Sequence, residues 1–245
     1  MIRKSKELGI DSKLKCCEEF LRRTMKPNGI TSEKVVTERK SSKTALVFVA
    51  VGCHEMEVAT ITHVLKSAGV DVTIVSIQES NPVKCSHGMV IIPDECLKNV
   101  PRSRSFGAIV IPGGHQASSA FILSHEVSRI LKEQESASRV IAAIGSSTLV
   151  LRDHGIGIGR KVACDPNIAD QFNLNQYTIV PDTVFTDGRL VTCQGTRSVT
   201  EFAIAIVRLL YGKRRSFELA KELLPCAPKC SDSVECEAKR VQKKD

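Results

Sequence analysis

The rhythm of apolar and polar positions changes sharply near residue 43. From Ala45 to Gly52 the chain reads ALVFVAVG, a continuous apolar run closed by glycine. That is the pattern of a strand covered on both faces. Residues 54–69, HEMEVATITHVLKSAG, set Met56, Ala59, Ile61, Val64 and Leu65 along a broad helical face that stops at Gly69. Residues 70–77, VDVTIVSI, are strand-like again, so 45–77 has the length and order of a parallel strand–helix–strand crossover. CSHGMVIIP (85–93) predicts a short hairpin. FGAIVIPGG (106–114) predicts a buried strand ending in two glycines, and 124–135 a helix. RVIAAIGSS (139–147) predicts a strand running into a tight turn, and 148–155 a helix. Four short strands follow over 161–166, 177–180, 184–187 and 190–195, and helices over 198–212 and 216–224 close the pattern. Strands that alternate with helices and end in glycine-rich turns predict a doubly wound α/β fold, its mainly parallel sheet covered on both faces.

The flanks follow other rules. In residues 1–42 one helix is expected, capped by Ser12, with Leu14, Cys17, Leu21 and Met25 near one face and Pro27-Asn28-Gly29 ending it. A polar linker follows. Residues 225–245 are polar and expected to be disordered. The chain thus divides into a basic N-terminal extension (1–42), one domain (43–224) and a tail (225–245).

Charge sharpens this division. The net charge is +8, yet residues 1–43 hold twelve Lys/Arg against six Asp/Glu, and the tail five against four, which leaves the domain near neutral. A nucleic-acid groove built into the domain is therefore not expected, although a basic extension can meet anionic surfaces without specificity. No apolar run reaches the roughly eighteen residues that a membrane helix needs. The N-terminus lacks the apolar core of a secretory signal, so a cytoplasmic protein is expected, with nucleus and mitochondrion as alternatives. Asp11, Glu18 and Glu19 count against mitochondrial import, because such addresses avoid acids. Ten cysteines in a reducing compartment read as free thiols, fillers or redox groups.

In an open α/β sheet, ligands bind outside the carboxyl ends of the strands. Four segments lie at predicted ends: Gly52-Cys53-His54-Glu55-Met56-Glu57, Pro112-Gly113-Gly114-His115, Ile144-Gly145-Ser146-Ser147 and Cys164-Asp165-Pro166. Paired glycines after a strand offer backbone N–H groups to an anion. The strand–turn–helix at 139–150 is the kind of elbow that presents a nucleophile. Cys53, His54, His115, Cys164 and Asp165 can be drawn into a relocated thiol or zinc site. The plainer expectation is buried filler cysteines, surface histidines and no metal. Ser146 and Ser147 are expected to cap the helix that follows them.

Several stretches carry a resemblance. KTALVFVAVGCHEMEV, NPVKCSHGMVIIPD, IVIPGG, ILKEQE, VIAAI, GIGIGRKV and EFAIAIVRLLYGK run in order from Lys43 to about Lys213. Together they resemble the DJ-1/PfpI superfamily and, within it, the DJ-1 branch. The resemblance implies a flavodoxin-like fold, a homodimer formed partly through the first helix, a small carbonyl ligand and no cofactor. It also implies a site made of an elbow cysteine, a glutamate from the first strand–helix turn that shares a hydrogen bond with the thiol, and glycine N–H donors facing it. The glutamate falls on Glu57 and the donors on Gly113 and Gly114. The cysteine falls on Gly145, the histidine that many members add falls on Asp165, and the arginines of the DJ-1 branch fall on His87 and Gln194. Cys85 matches a second cysteine of that branch. Glycine at the elbow removes the nucleophile and the backbone strain together. Ser146 lies one position past the apex and has no evident base.

Three readings remain open: an inactive, DJ-1-like binding or regulatory protein linked to oxidative stress; a glyoxalase or deglycase acting on reactive dicarbonyls through a rebuilt site; and a redox-responsive protein that uses Cys53, Cys85 or Cys164.

Overall fold

A computed structural model describes residues 43–79, 82–172 and 175–224. The expected N-terminal helix and disordered tail lie outside the described residues. The central sheet has seven strands in the order β10-β11-β7-β6-β1-β2-β5. Its strands are β1 (Thr44–Val49), β2 (Asp71–Ser76), β5 (Glu95–Cys96), β6 (Ala108–Ile111), β7 (Val140–Ile144), β10 (Val184–Asp187) and β11 (Leu190–Cys193). Every neighbouring pair is parallel except β10 and β11. The fold is flavodoxin-like.

Alternation along β1 shows why the apolar runs were continuous. Leu46 and Phe48 point into one core, with Ile109, Ile111, Phe121, Leu131 and Leu151. Ala45 and Val47 point into the other, with Ile61, Leu65, Val110, Phe202 and Ile206. Helices α2 (His115–Leu123), α3 (His125–Ser136) and α4 (Thr148–His154) cover the first face. Helices α1 (Glu55–Ser67), α5 (Val199–Tyr211) and α6 (Lys213–Leu223) cover the second. A strand with both faces covered has no polar position to show, so period two vanishes from its sequence.

Two elements depart from expectation. Residues 115–123 form helix α2, which the apolar pattern left as a connection. Its sequence HQASSAFIL has no acidic first turn and no side-chain cap, so the usual start signals are missing. Strand β5 is only two residues long and pairs through Val75↔Glu95 and Ser76↔Cys96. Just before it, Asp94 accepts from the Ile74 N–H and donates its own N–H to the Ile74 carbonyl. The expected hairpin exists as β3 (Val83–Lys84) with β4 (Val90–Ile91), antiparallel. The strands expected at 161–166 and 177–180 shrink to β8 (Lys161–Val162) and β9 (Thr178–Ile179), a separate two-stranded parallel sheet. Among the described residues, no helix is long and apolar enough to cross a membrane.

Strand order places the site. The chain runs from β1 outward to β2, then returns to place β6 on the other side of β1. The crevice at this switch lies beyond Val49 and Ile111, and β7 and β11 end alongside, with Cys193 paired to Ile144.

Candidate functional site

Glu57 sits in the first turn of α1 and is 1% exposed. A buried carboxylate needs donors, and three converge on it from three elements. The Gly113 N–H donates to Oε2 at 2.6 Å. The Thr196 hydroxyl donates to Oε1 at 2.6 Å. His54 Nδ1 lies 3.3 Å from Oε1. The turns after β1, β6 and β11 are thus tied to one side chain. Thr196 is 139 residues away in sequence and had no motif to mark it. His54, expected on the surface, is half-buried and belongs to this cluster, whereas His115 is exposed as expected.

The Glu57 carboxylate holds the His54 pKa above its ordinary value, against a smaller opposing effect of burial. The coupling favours the imidazolium, so its stabilisation is fully present below about pH 6.5, the unfolded value, and is lost as pH rises through the raised folded value. An NMR titration of His54 should give a pKa above that of an exposed histidine, and Glu57→Gln should lower it. An unchanged His54 titration in the variant would remove Glu57 as the cause.

The elbow is where the sequence placed it. After Ile144 the chain turns through Gly145 with φ +62°, in the left-handed region that a side chain enters at a cost. A β-carbon on Gly145 would lie 3.9 Å from Glu57 Oε1 and 4.0 Å from both the Gln194 carbonyl oxygen and Gly195 Cα. These are ordinary contacts. A single β-carbon would fit at the apex without displacing a neighbour.

Behind the apex the serines do something other than capping. The N-cap of α4 has no side-chain hydrogen bond, which corrects the expectation for Ser146 and Ser147. Ser146 Oγ accepts from the Gly114 N–H at 3.1 Å and meets Ser118 Oγ at 2.9 Å. Ser147 Oγ meets Ser118 Oγ at 3.1 Å and donates to the Pro112 carbonyl. The turn bends through 3-10 geometry over Gly145–Ser147, which carries the serine side chains back toward α2. Ser146 is buried among hydroxyls and an amide, with neither a histidine nor a carboxylate among its described partners. It has no base to make it a nucleophile.

Both glycine donors are occupied: Gly113 N–H by Glu57 and Gly114 N–H by Ser146. The expected pair of free oxyanion donors is therefore absent in this conformation. The same amides hold the site together instead. Asp165 accepts from the Asn167 backbone and side-chain amides, both at 2.9 Å, and caps the 3-10 turn Pro166–Gln171. It follows β8, outside the central sheet, and is not among the partners of Glu57. Gln194 Nε2 donates to the Pro181 carbonyl at 3.3 Å. His87 lies on the other rim of the β1–α1 turn, where Glu55 accepts from its backbone N–H at 3.0 Å.

The five described cysteines, Cys53, Cys85, Cys96, Cys164 and Cys193, are all reduced. Cys164 is buried, and desolvation pushes its pKa up to about 11. Cys53 and Cys85 are buried against each other. Among the described residues no group of three or more His, Cys, Asp or Glu is arranged to hold a metal ion. A surface cavity of about 390 Å³ lies between the ends of β2 and β5 and the start of α3, and none of its lining residues belongs to the Glu57 cluster.

Comparison with known proteins agrees with this geometry. The model of the DJ-1/PfpI family matches residues 43–209. The chain is 40% identical over 184 residues to Protein dj-1beta of Drosophila melanogaster, covering 75% of this chain and 97% of that one. It is 32% identical to the glutathione-independent glyoxalase DJR-1.2 of Caenorhabditis elegans, covering 75% and 97%. The crystal structure of Drosophila melanogaster DJ-1beta superimposes with a TM-score of 0.71, covering 75% of this chain and 98% of that chain. Oxidized Toxoplasma gondii DJ-1 superimposes with a TM-score of 0.70 at 30% identity, covering 74% and 97%. Sheet order, the buried glutamate and the glycine-rich strand ends now have one explanation: the chain belongs to the DJ-1/PfpI family.

Proposed function

We propose that this family member has given up nucleophilic catalysis and acts by binding, in a role linked to oxidative stress. Its elbow notch takes a small carbonyl-bearing ligand. The observation that carries this reading is Gly145. The position where attack would start bears no side chain, while Glu57 beside it keeps its full set of donors. A covalent step needs a nucleophilic atom at that point, and neither Ser146 nor the occupied glycine amides supplies one. Methylglyoxal turnover by the purified full chain tests this, with the Caenorhabditis glyoxalase as positive control. Background rates that Glu57→Gln leaves unchanged are expected. Turnover comparable to the control and abolished by Glu57→Gln would replace this reading with a glyoxalase or deglycase that has a rebuilt site.

Assembly as a homodimer belongs to the same proposal. Ile61 and Leu65 of α1 are fully buried against the sheet and α5, so they are not available to a partner. Met56 on α1 is 60% exposed, and Met89, Val90 and Ile92 of the adjoining hairpin are 50%, 53% and 76% exposed. Glu55 ties the two elements together by accepting from Ser86 Oγ and the His87 N–H. Exposed apolar side chains on adjoining elements favour burial against a second copy. Light scattering at micromolar concentration should give a dimer mass, and Met56→Glu with Ile92→Glu should halve it. A native monomer would reject the dimer.

A further inference from the structure

We propose that Cys53 and Cys85 form a dithiol pair that closes to an intramolecular disulfide under oxidant, stapling the turn that carries the Glu57 cluster to the β3–β4 hairpin. This does not depend on the binding role proposed above, because its readout is covalent. The two sulfurs lie 3.5 Å apart, and both side chains are buried. Their backbones are held together on both sides of the pair. The Ser86 N–H donates to the Cys53 carbonyl at 2.9 Å, and the Gly52 N–H donates to the Lys84 carbonyl at 2.9 Å. A disulfide needs sulfurs about 2.05 Å apart. Side-chain rotation would close the remaining gap, and the flanking hydrogen bonds hold the two backbones side by side. Cys53 comes immediately before His54 and opens the turn into Glu57. Cys85 opens the hairpin turn, its N–H donating to the Met89 carbonyl at 2.8 Å.

The oxidant is a hydroperoxide such as hydrogen peroxide. Cys85 is the more accessible of the two, at 4% against 0%. It loses its proton, and the thiolate attacks one peroxide oxygen. The O–O bond breaks, a sulfenic acid forms, and the departing hydroxide takes up a proton as water. The Cys53 sulfur then attacks the sulfenyl sulfur. An S–S bond forms, the S–O bond breaks, and the hydroxyl leaves as water with the Cys53 proton. Two thiols lose two electrons and two protons, and one peroxide becomes two waters. Burial keeps the first step slow: desolvation raises both pKa values, that of Cys85 to about 12. The same burial shields the finished disulfide from small thiols. The pair therefore responds to sustained oxidation, not to brief pulses.

The test uses the full chain. Reduced protein is exposed to hydrogen peroxide, denatured with an alkylating agent and digested, and its peptides are weighed. A cross-linked Cys53–Cys85 peptide is expected, together with a rise in Tm of roughly 5–10 °C that is lost when the oxidised chain is unfolded, reduced with dithiothreitol and refolded. Cys53→Ala and Cys85→Ala should each abolish that rise. Should either variant fold poorly, the peptide map of the native chain decides alone. Recovery of both cysteines singly alkylated after oxidation would overturn the proposal. So would sulfinic acid on Cys85, or bridges from either residue to other cysteines.

Discussion

Gly145→Cys should convert a protein with background methylglyoxal turnover into one with measurable turnover, the largest change in activity expected of any single substitution here. A cysteine β-carbon at this point has room, with Glu57 Oε1 3.9 Å away. The thiol one bond further out is then within reach of the carboxylate that can take its proton. Loss of a nucleophile from a site whose parts act together costs several orders of magnitude in rate, so its return should recover part of that range. Recovery will be incomplete. Both glycine amides are already engaged, and neither Asp165 nor Gln194 supplies a positive charge to the notch. The φ of +62° also imposes a cost of about 1 kcal/mol or more on any side chain, so the gain in function should come with a lower Tm. Adding Glu57→Gln to Gly145→Cys should cancel the gain. If Gly145→Cys folds, exposes one additional reactive thiol and still shows no turnover, the notch has lost more than its nucleophile.

The largest effect on stability is expected at Gly114. Here the β6–α2 turn presses against the β1–α1 turn, and the His54 N–H donates to the Gly113 carbonyl across the contact at 2.9 Å. An alanine β-carbon at Gly114 would overlap the Gly52 carbonyl oxygen and lie 2.9 Å from Cys53 Cα. The backbone there has φ +117°, which disfavours any side chain as well. Overpacking against backbone together with a forbidden dihedral should cost about 3 kcal/mol or more. In a domain of this size that is a fall in Tm of roughly 6–12 °C. Gly195 is the control. Its φ of 168° is ordinary extended backbone, and no heavy atom lies within 4 Å of a β-carbon there. Gly195→Ala should therefore be nearly neutral. Equal melting temperatures for the two variants would show that the turns can separate at little cost, and that the cluster around Glu57 is less firmly built than its hydrogen bonds suggest.

Most of the fold was legible because its signals are local. Continuous apolar runs, helical faces and glycine stops each lie within one element, as with Ala45–Gly52 or the closing helix α5. What was not legible lacks such a signal. Helix α2 begins at Gly114 without a capping side chain. Strand β5 holds two partly exposed residues, too few for any period. At the site, segments that the sequence set at separate strand ends bring Glu57 against the Gly113 N–H and beside Gly145. The direction of each N–H was not in the sequence, so donors that seemed free proved to be engaged. Thr196 reaches Glu57 only because β11 ends beside β7. Its role is a property of strand order, and no spacing along the chain encodes it.

The brevity of β5 has a further consequence, for how copies of this protein can meet. A long bare edge offers a row of amides and carbonyls to a strand from another molecule, which is the route to open-ended aggregation. Here the edge beyond β2 is closed almost as soon as it begins. Asp94 takes both the N–H and the carbonyl of Ile74. Arg104 bridges Glu95 to the Thr73 hydroxyl, placing a charged pair over the strand beside it. An incoming strand would have to break these bonds before making its own. Growth by sheet extension is thus opposed on this side of the sheet, and a second copy that meets the protein here would do so through side chains, not through backbone pairing.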